Sequence, residues 1–121
     1  MGIAANIAVI VVALIHLYIL VLEMFLWKKP LGRKVFGLKP DFAEAAAALA
    51  ANQGLYNGFL AAGLLWGLSL GDAGFSIRVF FLVCVIVAGV FGAATASRKI
   101  LWVQAFPGAI ALALTLLARP I

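Results

Sequence analysis

The sequence predicts an all-α fold, a membrane-embedded four-helix bundle with both termini on the non-cytoplasmic side. Three observations carry that expectation. The 121 residues are 67% hydrophobic and 11% charged, whereas soluble domains run to about 25% charged residues. The apolar residues gather into four runs, each long enough to cross a hydrocarbon layer of about 30 Å as a helix. The short segments between those runs hold most of the cations. A soluble domain of this size buries only about 60 to 70% of its chain surface, which would leave an apolar exterior prone to aggregation. A bilayer removes that difficulty.

The first predicted helix covers about 3–27 and stops at Lys28, Lys29 and Pro30. No basic segment precedes it, so it reads as a permanent span rather than a cleaved signal peptide. The second, about 43–70, starts in the alanine-rich stretch 43–51, a strong helix former. The third covers about 75–96 and the fourth about 100–118. Together they form one transmembrane domain over 1–121. Asp41 and Asp72 stand where a carboxylate can accept from the free N–H groups that open a helix.

Orientation follows from the cations, because Lys and Arg in short loops are retained in the cytoplasm. Lys28, Lys29, Arg33, Lys34 and Lys39 follow the first helix, and Arg98 and Lys99 follow the third. Arg78 and Arg119 fall at the opposite face. Topology therefore accounts for the net charge of +5, and no nucleic-acid surface is needed to explain it. Membrane lipid is the expected partner of these cations. One cysteine, Cys84, and one histidine, His16, supply too few soft ligands for a zinc or iron–sulfur site. No metal or cofactor is expected.

Polar side chains inside the apolar runs are expensive in hydrocarbon and need a reason. His16 and Glu23 stand seven residues apart on one face of the first helix. The second helix carries Asn52, Gln53, Tyr56 and Asn57, and the fourth carries Gln104 three residues before Pro107, which is expected to kink it. By depth, Glu23 is level with Gln104, and Asn52 and Gln53 reach a similar height. His16 is expected opposite Tyr56 and Asn57. Ordinary interhelical hydrogen bonding accounts well for Gln53 and Gln104. It accounts poorly for Glu23, since a Gln would supply the same bonds at lower cost, although Glu23 could also reach the interface and pair with Lys28 or Lys99. An imidazole titrates near neutral pH, so His16 suits either a packing role or a proton carrier.

Small residues at close-packing spacing, Gly54 with Gly58 and then Gly63, Gly67 and Gly71, form a ridge on the second helix. Ala88, Gly92 and Ala96 repeat it on the third. Ser69, Ser76 and Ser97 lie near helix ends without a triad partner, and no glycine-rich loop with a lysine is present. Catalytic residues are therefore not assigned.

His16-Leu17-Tyr18 with Glu23 and Trp27, the run Asn52-Gln53-Gly54-Leu55-Tyr56-Asn57-Gly58-Phe59-Leu60, and Gln104 before Pro107 together resemble the small bacterial membrane proteins called domain of unknown function 1304. The likeness covers nearly the whole chain. It implies four membrane helices in the bacterial inner membrane and no established activity. A looser likeness is to the MAPEG superfamily of membrane glutathione and eicosanoid enzymes. Asn52 and Asn57 match the spacing of polar residues in the second helix of that superfamily, but Tyr56 replaces its Glu, and Ala48 and Leu49 stand near the positions of its arginines. Glutathione carboxylates want bidentate arginine partners, so only the architecture carries over.

Three functions fit. The first is a multi-pass membrane protein, forming a homo-oligomer, that binds a small amphipathic or lipid-like ligand through His16, Glu23, Asn52, Gln53, Tyr56, Asn57 and Gln104. The second is proton- or ion-linked transport through His16 and Glu23. The third is a structural or assembly protein whose polar groups set helix register.

Overall fold

The computed structural model describes residues 2–120. The described residues are all-α, with no strand among them. The helices are α1 (Ile3–Met24), α2 (Pro30–Phe36), α3 (Pro40–Ser69), α4 (Phe75–Thr95) and α5 (Phe106–Leu117). A 3₁₀ turn at Gly71–Gly74 leads into α4, and a π-helical turn at Leu101–Ala105 leads into α5. Ile3–Met24 and Gly71–Thr95 are long and apolar enough to cross a membrane, and Leu101–Leu117 is apolar but shorter.

The element boundaries depart from the sequence expectation in ways the backbone explains. α1 stops at Met24 rather than near Trp27, because Phe25 and Leu26 both donate to the Val21 carbonyl, at 3.0 and 3.1 Å. The chain then turns away. The next segment, expected as a loop, holds α2. Pro30 opens it at a position whose N–H has no helical partner anyway. Gly37 closes it at φ +65, a left-handed conformation that suits glycine, with Leu38 N–H donating to the Arg33 carbonyl at 2.8 Å.

α3 begins at Pro40, slightly before the predicted start, with Asp41 in its first turn facing the positive end of the dipole. Asp72 is not the cap of the following helix. That position belongs to Gly74, with no side-chain cap bond, because Asp72 lies inside the 3₁₀ turn. At Pro107 the structure shows how the missing N–H is accommodated: Phe106 N–H reaches back to Leu101, a π-type bond that widens the turn ahead of the proline ring.

Contacts gather the chain into two compact units, Met1–Ile15 with Leu60–Ile121, and His16–Phe59. In the first, Val9, Val12, Ala61, Leu64, Leu82, Val85 and Ala111 form a buried core to which α1, α3, α4 and α5 all contribute. Close crossings sit at glycine. A Cβ on Gly89 would lie 2.5 Å from the Ala105 nitrogen. Of the expected ridge on this helix, Gly92 does face a neighbour, a Cβ there meeting Ile100 at 3.0 Å, whereas Ala88 and Ala96 are exposed and Gly89 makes the closer approach. On α3 a Cβ at Gly63 would run into the Phe81 ring, and one at Gly67 would meet the Arg78 side chain at 2.6 Å.

Arg78 also differs from its sequence reading as a cation at the outer face. It is fully buried, and its Nη1 donates to the Gly67 and Gly71 carbonyls at 2.7 and 2.8 Å. Carbonyls at the end of a helix lack intrahelical donors, and a cation there also complements the helix dipole. Arg78 supplies both.

Candidate functional site

Unit His16–Phe59 holds the end of α1, the turn after it, α2 and the first part of α3. The two long helices run antiparallel in it. Gly54 sets their register, since a Cβ there would meet Met24 Cγ at 2.6 Å, Glu23 Cβ at 3.2 Å and the Leu20 carbonyl at 3.3 Å. One turn further along α3, Gly58 faces Leu20. At the other end the Trp27 indole Nε1 donates to the Ala43 carbonyl at 3.0 Å. The Trp27 ring packs on Phe36 with centroids 5.1 Å apart. Lys28 Nζ lies 3.6 Å from Glu44 Oε2 at the exposed edge.

This register brings Asn57 to Glu23. Asn57 Nδ2 donates to Glu23 Oε1 at 2.6 Å and to the Gln53 carbonyl at 3.1 Å. This bond ties α3 to α1. The sequence reading placed Asn57 opposite His16; the side-chain partner found for its amide is Glu23, at the height that Gly54 sets.

The other predicted residues distribute as follows. His16 is fully buried. Asn52, Gln53 and Tyr56 are exposed, with the Tyr56 ring near Phe59 at a centroid distance of 5.9 Å. Gln104 belongs to the other unit and sits in the π-helical turn.

Glu23 and Gln53 line an open groove of about 250 Å³, with Trp27, Phe42, Ala46, Leu49 and Ala50 as its remaining walls. Glu23 is the charged member of this set. Phe42, Ala46, Leu49, Ala50 and Gln53 share one face of α3, each lying three or four residues from another of the set. The sequence reading did not single out Phe42, and it assigned neither Leu49 nor Trp27 to the site. The signal was the helical spacing of those five residues, together with Trp27 four positions after Glu23.

The family profile described as "Protein of unknown function (DUF1304)" matches residues 10–116. The chain belongs to the DUF1304 family. A relative of this DUF1304 chain is the uncharacterized protein YpaA of Lactococcus lactis subsp. lactis (strain IL1403). It is 30% identical over 97 residues, covering 78% of this chain and 82% of the relative. No solved structure matches the DUF1304 chain.

Proposed function

We propose that this DUF1304 protein is a multi-pass protein of the bacterial inner membrane that binds a small amphipathic ligand in the groove at Glu23. In this reading the runs at about 3–27, 43–70, 75–96 and 100–118 are four spans of one domain, both termini face outward, and the protein works as a homo-oligomer. The groove belongs to the cytoplasmic half, near Lys28 and Lys29.

Membrane residence is supported by how the apolar helices are displayed. Only 28% of the apolar window in Ile3–Met24 and 22% of that in Gly71–Thr95 is buried. A core helix of a soluble protein is covered by its neighbours. Ile7, Leu14, Phe80 and Phe91 are all more than half exposed, and lipid is the solvent such side chains prefer.

The observation that carries the ligand reading is the 2.6 Å Asn57–Glu23 bond at the wall of a groove whose other lining residues, Gln53 apart, are apolar or aromatic. A carboxylate against apolar walls costs stability. Groups arranged in this way are typical of a small-molecule site, where apolar walls supply contact and few polar atoms supply orientation. Native mass spectrometry of the protein extracted with its lipid tests the reading. A retained small molecule that is lost from the Leu49→Trp variant, which fills the groove, supports it. An empty protein of unchanged mass in both forms refutes it.

A further inference from the structure

We propose that the occupant of this groove is a small organic cation bearing an apolar or aromatic group, with Glu23 as its counter-ion. The inference rests on the ligand-binding reading above and names the chemistry of the ligand. It follows from charge complementarity. Glu23 is the acidic residue among those lining the groove. An anionic ligand would face repulsion in a setting that screens charge weakly. A neutral apolar ligand would cover the carboxylate without compensating it. A cation removes that cost.

The walls suit such a molecule. Trp27 and Phe42 present aromatic rings, which attract cations through their negative faces. The indole Nε1 is already committed to the Ala43 carbonyl at 3.0 Å, so what Trp27 offers is its ring. Ala46, Leu49 and Ala50 accept the apolar part of the ligand. A carboxylate accepts through two oxygens. Asn57 engages Oε1 at 2.6 Å and acts as a positioning residue, leaving Oε2 to meet the cation. Lys28 is drawn to Glu44, 3.6 Å away. A volume of about 250 Å³ is below that of most drug-sized pockets, so the ligand is small.

The test uses benzyltrimethylammonium, its neutral carbon isostere neopentylbenzene, and benzenesulfonate. Binding of each to the full-length protein in lipid nanodiscs is measured by titration calorimetry. The wild type is expected to bind the ammonium saturably, at least tenfold more tightly than the isostere, and not to bind the sulfonate. Glu23→Gln keeps an acceptor for Asn57 and is expected to lose at least tenfold in ammonium affinity. Leu49→Lys places a cation at an exposed groove position, where it competes for Glu23, and is expected to weaken the ammonium to a similar degree. Circular dichroism confirms that each variant is helical.

Equal affinity for ammonium and isostere, or unchanged ammonium affinity in both variants, overturns the cation assignment while leaving the groove as a ligand site. Absence of saturable ammonium binding to the wild type also overturns it. The retained-ligand measurement then decides the parent reading separately.

Discussion

Asn57 donates to Glu23 across 2.6 Å, joining α3 to α1 at the height where Gly54 lets the two backbones come together. The bond is therefore both an interhelical tie and the support of the groove's charged wall.

If the tie is structural as well as positional, Asn57→Ala lowers unfolding stability by about 1 kcal/mol, the usual scale for one hydrogen bond. Glu23→Gln costs less, because its amide oxygen still accepts. The double variant is no less stable than Asn57→Ala alone by more than about 0.5 kcal/mol. Thermal unfolding in detergent checks all three.

Gly74 and Gly37 separate two uses of glycine. A Cβ on Gly74 would overlap the Gly67 carbonyl, backbone against backbone, so Gly74→Ala costs about 3 kcal/mol or prevents folding. Gly37 has open space around it and a φ of +65. Gly37→Ala therefore pays only for the left-handed conformation, about 1 kcal/mol. Melting curves of the two variants should differ clearly.

Arg78 is fully buried and donates to the Gly67 carbonyl in the last turn of α3 and to the Gly71 carbonyl in the turn after it. Arg78→Met leaves those oxygens without their donor and lowers stability by about 2 to 4 kcal/mol. Arg78→Lys, a shorter side chain with one donor nitrogen, recovers part of the loss. Equal unfolding midpoints for Met and wild type would show that the cap contributes nothing.

Trp27→Phe removes the indole N–H that reaches the Ala43 carbonyl at 3.0 Å and retains an aromatic ring. Stability falls by about 1 kcal/mol. Hydrogen exchange at the start of α3 rises with it, because the turn after α1 loses its tether.

The proposed topology is checked by cysteine labelling in a Cys84→Ala background. Cysteines placed at Lys29 and Arg98 resist a membrane-impermeant maleimide in intact cells and react after lysis. A cysteine at Ser76 reacts in intact cells. The reverse pattern refutes the orientation drawn from the cations.

The sequence by itself determined the helical class, because apolar runs of about 20 residues are too long for strands and read as helices. It also singled out Glu23 and Asn57, since polar groups in apolar runs stand out by cost alone. Periodicity could align Phe42, Ala46, Leu49 and Gln53 on one face, but not name what that face opposes. Arg78 was legible as an anomaly within an apolar run and was missed because its charge was counted only toward topology.

Only the tertiary structure decided which of these groups meet. A helix repeats every 3.6 residues, so its own sequence ranks faces but leaves its sliding position against a neighbour open. That position is set by close contact between small and large residues: Gly54 against Leu20 and Met24, Gly67 against Arg78. A slip of one turn would carry Asn57 away from Glu23 and the Gly67 carbonyl away from Arg78.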